Sequence, residues 1–206
     1  MTKEGFFFPL PFLVLSAASF AIFARFLIIP LAYVSAGLFL LSLLVMLFFR
    51  DPERCVPDGD KLILSPADGR VIKCDDSSEP PSLSIFLSIL NVHVTRSPVT
   101  GTVESVEFKE GKFHIARKDE AGNSNQRNEI EISTESGTVR MHQVAGAVAR
   151  RTIFRPKSGE RLKAGERVGI IRFGSRVDLA MPAGSKMDVS INQKVLGGQT
   201  VLGRLP

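Results

Sequence analysis

A Gly-Ser pair, Gly174 and Ser175, stands in the segment RFGSRVD (residues 172–178), where one apolar run ends and another begins. A serine hydroxyl is a nucleophile once a base relieves it of its proton. Taken alone, the pair reads more simply as a tight turn in which the glycine takes positive φ and the serine bonds locally. His93, in NVHVTR (residues 91–96), offers an imidazole able to exchange protons near neutral pH, although a lone histidine at a strand end commonly serves structure. Asp68, in SPADGRV (residues 65–71), offers a carboxylate, and the Asp-Gly dipeptide equally describes a turn. Arg176 follows the serine directly, and Arg150, Arg151, Arg155 and Arg172 lie nearby in the chain. Each could bind a phosphate or an anionic leaflet through charge-assisted bonds, or be plain surface charge. His142 and His114 are weaker candidates for a base, His142 because its neighbours read as a strand.

These groups must be positioned by strands. From Arg50 onward, short alternating or apolar runs alternate with Gly, Pro, Asn and Asp, at residues 61–65, 70–74, 83–89, 102–108, 129–133, 139–143, 167–173, 177–181 and 187–191. The pattern predicts a mainly β (α+β) soluble domain, a compact antiparallel barrel or sandwich, with no βαβ rhythm and no nucleotide-binding glycine loop. Residues 119–127, DEAGNSNQR, have almost no apolar content and are expected to be a mobile loop that approaches headgroups.

The first fifty residues follow a different rule. Residues 6–24 and 26–49 are uncharged stretches of bilayer length, with Arg25 and Pro30 between them, which predicts an N-terminal two-helix transmembrane hairpin. The domains are thus a membrane anchor over 1–50 and a β-rich domain over 51–206. A cleaved signal peptide would explain Lys3 and the first apolar run, and the second span argues against it. Lys3, Arg50 and Arg54 on one side, against Arg25 on the other, predict that the soluble part is cytoplasmic at the cell membrane.

The net charge of +5 and pI near 9.5 suit anionic surroundings. One Tyr, no Trp and no basic block flanked by aromatics argue against nucleic acid as the partner. Cys55 and Cys74 have neither metal-ligand nor disulfide-framework spacing, so no metal is expected.

Four segments in order, SPADGRV (65–71), NVHVTRSPVTG (91–101), QVAGAVARR (143–151) and RFGSRVD (172–178), give the region from residue 50 to 206 a specific likeness. It resembles the short, archaeal-type phosphatidylserine decarboxylases. The resemblance implies a zymogen that cleaves itself between Gly174 and Ser175. The serine hydroxyl attacks the preceding carbonyl, which a glycine leaves unobstructed, and the resulting ester eliminates. Ser175 then becomes a covalent pyruvoyl group, the cofactor, at the head of fragment 175–206. The two fragments stay associated as α and β chains, held by shared strands.

The implied reaction is formation of a Schiff base between the pyruvoyl carbonyl and the amine of phosphatidylserine, then release of carbon dioxide and phosphatidylethanolamine. By the same resemblance, His93 protonates the carbanion or contacts the substrate carboxylate, and Asp68 matches the acidic member of the self-cleavage relay. The partners implied are phosphatidylserine, the membrane lipid surface and the chain's own two fragments, with a homo-oligomer left open. One departure matters. Longer bacterial and eukaryotic relatives carry a second histidine three residues after the first, where this chain has Arg96, and arginine is no base in the working range. The base for Ser175 is therefore unassigned by the resemblance.

Two other functions are compatible with parts of the sequence. A membrane-tethered Ser/Lys peptidase lacks a strand lysine suitably placed after a serine, and its site would face away from the side the charges favour. A non-catalytic β-barrel or biotinyl-like adaptor, with Lys194 in its NQKV hairpin, explains the anchor and strands but makes Gly174–Ser175 a mere turn. The adaptor stays one chain and the decarboxylase becomes two.

Overall fold

The computed structural model describes residues 7–114, 116, 122, 124–146, 152–171 and 174–206. The chain forms two compact units, Met1–Glu53 and Arg54–Pro206.

In the first unit, helix α1 (Leu10–Phe26) and helix α2 (Ile29–Phe48) are joined through Leu27, which takes a left-handed φ of 53°. They run antiparallel, held by reciprocal bonds in which Ser16 Oγ donates to the Ser35 carbonyl at 2.9 Å and Ser35 Oγ to the Ser16 carbonyl at 3.0 Å. Most of their large apolar side chains face outward, among them Phe20, Phe26, Tyr33, Leu40 and Leu44. Of the two, α2, with 20 residues, is long and apolar enough to cross a membrane. At 1.5 Å per residue, the 17 residues of α1 reach about 25 Å, somewhat less than a hydrocarbon core of about 30 Å.

The second unit is mostly β, as its alternating pattern predicts. Its strands are β1 (Leu62–Leu64), β2 (Gly69–Asp75), β3 (Ser82–Leu87), β4 (Val94–Arg96), β5 (Gly101–Lys109), β6 (Arg127–Thr134), β7 (Gly137–Val144), β8 (Thr152–Phe154), β9 (Arg161–Leu162), β10 (Arg167–Ile171), β11 (Ser175–Ala180), β12 (Lys186–Met187), β13 (Lys194–Val195) and β14 (Val201–Arg204). An eight-stranded sheet has the order β13-β2-β3-β11-β7-β6-β5-β9, and two three-stranded sheets have the orders β4-β10-β8 and β1-β14-β12. Every pairing between these strands is antiparallel.

Strand alternation decides what is buried. Val139 and Met141 of β7, Ile130 and Ile132 of β6, Val177 and Leu179 of β11 and Leu83, Ile85 and Leu87 of β3 join one core cluster. The predicted strand at 187–191 is reduced to Lys186–Met187, with one further bond from the Asp188 N–H to the Leu202 carbonyl before the chain turns at Asn192. Of the polar stretch 119–127, residues 119–121 and 123 lie outside the described residues. Its described end is ordered: Asn125 is fully buried and Arg127 opens β6.

Candidate active site

The four sequence segments converge through strand order. SPADGRV leads into β2, NVHVTR follows β3, QVAGAVARR follows the middle of β7 and RFGSRVD leads into β11. These are neighbours in the order β2-β3-β11-β7, and alternate strands run in opposite directions. The starts of β2 and β11 and the finishes of β3 and β7 therefore lie at one end of the sheet. The row Arg70–Phe86–Arg176–Val144 marks that end.

Two connections pass each other there. Leu87 is opposite Ser175 in the β3–β11 ladder, and Val94 is opposite Ile170 in the β4–β10 ladder. His93, just before β4, and Ile171, which ends β10, meet between the ladders. The Ile171 N–H donates to the His93 carbonyl at 3.0 Å, which ties His93 to the end of β10. Gly174 has φ of 60°, and a Cβ there would meet nothing within 4 Å. Its backbone conformation, and no crowding, is what calls for glycine.

Ser175 has the parity of Val177 and Leu179, so its side chain turns to the core face of the sheet and is fully buried. Its Oγ has no hydrogen-bond partner among the described residues. A buried hydroxyl left in that state is costly, by roughly 1–3 kcal/mol, and such exceptions concentrate where chemistry is done. Arg176 has the opposite parity. Its guanidinium pairs with Asp178 and donates to Ser84 Oγ at 3.1 Å on the other face. Adjacency in sequence therefore separates these two side chains.

His93 is 2% exposed, and its Nδ1 lies 2.8 Å from the Asn91 carbonyl oxygen. A carbonyl only accepts, so Nδ1 carries the proton and the neutral ring keeps its lone pair on Nε2. His142 lies on the outer face, opposite Asp178 and Glu129. Burial pushes its pKa below the usual histidine value, against the upward pull of Glu129 and Asp178, and with help from Arg127 and Arg140. The register does not bring it to Ser175. His114 is held by its backbone, which donates to and accepts from the Asn125 amide at 2.8 Å.

Asp68 is buried at the same sheet end, two strands from β11, or about 10 Å by ordinary strand spacing. Both its oxygens are engaged. Arg54 donates to Oδ2 at 2.7 Å and the Gly197 N–H to Oδ1 at 2.8 Å. Arg96, where longer relatives have the second histidine, is buried with Nη1 donating to the Gly165 carbonyl at 3.0 Å. Arg155 lies just past β8, its N–H bonded to the Val168 carbonyl. Arg150, Arg151 and Arg172 lie outside the described residues.

Sequence reasoning passed over a buried polar chain. Asn128 Nδ2 donates to Gln143 Oε1 at 3.1 Å, and Gln143 Nε2 donates to Thr95 Oγ1 at 2.8 Å, linking β6, β7 and β4 across two sheets. Gly169 of β10 lies against it, and a Cβ there would meet the Ile153 carbonyl oxygen at 2.0 Å and Gln143 Nε2 at 3.2 Å. The signal was available: Gln143 has the parity of Val139 and Met141, so an amide occupies an apolar phase.

A buried serine without a partner among the described residues thus sits beside a positive-φ glycine at the end of the sheet that gathers the starts of β2 and β11. A family model for phosphatidylserine decarboxylase matches residues 41–203. The chain is 44% identical to the phosphatidylserine decarboxylase proenzyme of Symbiobacterium thermophilum, covering 100% of this chain and 96% of that one. It is 40% identical to the proenzyme of Ehrlichia chaffeensis, covering 98% and 90%, and 44% identical to that of Burkholderia mallei strain SAVP1, covering 81% of each. The chain belongs to the phosphatidylserine decarboxylase family.

Proposed function

We propose that the chain is a phosphatidylserine decarboxylase, made as a proenzyme that cuts itself between Gly174 and Ser175. The observation that carries this is Ser175 Oγ, buried and without a partner among the described residues, next to a left-handed Gly174 at the end of the sheet where the four segments meet. The hydroxyl attacks the Gly174 carbonyl, exchanging the peptide for an ester and freeing the Ser175 amine. Loss of the residue-175 α-proton then expels the Gly174 carboxylate and leaves dehydroalanine, which water converts to a pyruvoyl group with release of ammonia. That group supplies an electrophile for the substrate amine and an electron sink for the carbon–carbon bond that breaks.

Strand pairing supports continued association of the fragments 1–174 and 175–206. From the small fragment, β11 lies between β3 and β7, β13 pairs with β2, and β14 pairs with β1. The cut removes one covalent bond and leaves these ladders in place.

His93 serves the decarboxylation. With Nδ1–H committed to Asn91, Nε2 is the atom through which a proton moves, delivered when the ring is charged. Asp68, gripped by Arg54 and Gly197, acts on the geometry of the processing end. Arg176 lines the opposite face, where it orders Asp178 and Ser84 behind the reacting strand and offers its guanidinium to the substrate phosphate. Residues 1–50 anchor the enzyme through α2, with α1 as its companion, and residues 51–206 carry the catalytic domain on the cytoplasmic side.

The test is turnover of phosphatidylserine in vesicles by the wild-type chain and by Ser175→Ala. Production of carbon dioxide and phosphatidylethanolamine by the first alone is expected; equal activity of the two would overturn the reading.

A further inference from the structure

Residues 88–91 form a closed β-turn, in which the Asn91 N–H donates to the Ser88 carbonyl at 3.0 Å. The Asn91 side chain locks it, since Oδ1 accepts from Ser88 N–H at 2.9 Å and from Ser88 Oγ at 2.7 Å. Turn centres are ordinarily Gly, Pro, Asn or Asp. Here they are Ile89 and Leu90, 57% and 75% exposed. A rigid turn that holds two aliphatic side chains in water breaks a local rule, and such violations gather at functional sites.

The surroundings point to the partner. The ladder runs Lys194–Arg70–Phe86, and Phe86 is three residues before Ile89 on the same strand and its connection. Lys194 and Arg70 are exposed, as is Leu196 two residues beyond Lys194. An apolar tip rimmed by cations is complementary to an anionic phospholipid surface, with aliphatic groups for the acyl boundary and charges for the phosphates. It is too small for a stable protein interface, which needs about 1,000 Å².

The turn is also wired to the site. Asn91, whose N–H closes the turn, accepts the His93 Nδ1 bond at its carbonyl, and the Ile171 N–H donates to the His93 carbonyl.

We propose that Ile89 and Leu90, with Arg70 and Lys194, form a lipid-docking tip that seats this end of the sheet on an anionic bilayer and presents His93 to headgroups. The proposal rests on the reading that the substrate is a bilayer lipid.

Two arms test it with the full chain in nanodiscs of phosphatidylethanolamine and phosphatidylglycerol. In the first, a nitroxide on Leu90→Cys, in a Cys55→Ser/Cys74→Ala background, reports accessibility to oxygen against a water-soluble nickel chelate. Oxygen-dominated relaxation, lost in Arg70→Gln/Lys194→Gln with uncharged lipid, is expected; a fully water-accessible label on anionic nanodiscs overturns the proposal. In the second, Ile89→Asp/Leu90→Asp is assayed with bilayer and with short-chain, monomeric phosphatidylserine. A tenfold or larger fall in the ratio of bilayer to monomeric kcat/KM, carried by KM, is expected, and an unchanged ratio contradicts docking. Wild-type chain inactive on both substrates would sink the proposed function, while the nitroxide arm would still decide the tip.

Discussion

The amide of Ile171 donates to the carbonyl of His93 at 3.0 Å, and four residues further on Ser175 faces Leu87 across the next ladder. Backbone pairing thus ties His93 to the strand that ends four residues before Ser175 and ties Ser175 to β3. That arrangement separates two roles that mutation can tell apart.

His93→Ala should leave self-cleavage within a few-fold of wild type and lower decarboxylation by the processed enzyme about 10²–10⁴-fold, the range for loss of a positioned acid or base. Fragment yield on a denaturing gel and single-turnover product formation give the two readings. Loss of cleavage in His93→Ala would instead make this imidazole the base for Ser175.

Gly174→Ala should slow processing without crowding anything, because the φ of 60° is what an L-residue resists. The strain is about 1–2 kcal/mol, or roughly ten-fold in rate if the same conformation is needed for attack. A time course of fragment appearance measures it, and wild-type kinetics would show that the left-handed state is not used.

Asp68→Ala should destabilise the fold itself. It leaves Arg54, half-buried and still bonded to Gln199, without its carboxylate, a change worth up to about 3 kcal/mol. Thermal unfolding of the uncleavable Ser175→Ala form should show an apparent Tm lower by about ten degrees. An unchanged Tm would argue that Asp68 is a processing residue alone.

His142 makes the outer face acid-sensitive. Its folded pKa is held below the unfolded value of about 6.5, chiefly by burial, so the unfolded chain binds the proton more readily. Its contribution is fully present above that value and is lost as pH falls below it toward the folded pKa. His142→Gln should flatten the pH dependence of Tm as pH falls below about 6.5. A slope that survives the substitution would assign it to other groups.

Much of this was legible in the sequence. Alternation located most long strands, and the four segments marked what the sheet would gather at one end. It could not give strand order, which depends on pairings such as Ser175 with Leu87 over almost ninety residues of separation. Arg176 shows the cost of reading adjacency without the pleat, since period-two alternation sends it to the face opposite Ser175. Gln143 was hidden for the reverse reason: its polar type drew attention away from an apolar phase that placed it in the core. Ile89, in the exposed turn, read as the tail of the strand expected at 83–89, because nothing before it announces that Asn91 will close a turn there.

The central claim is tested most directly by intact mass spectrometry of the purified full chain beside Ser175→Ala. The account predicts two wild-type fragments divided after Gly174, the smaller one carrying a pyruvoyl group at residue 175, and an uncut Ser175→Ala chain. A single unmodified wild-type chain, folded in a membrane mimetic, would contradict it.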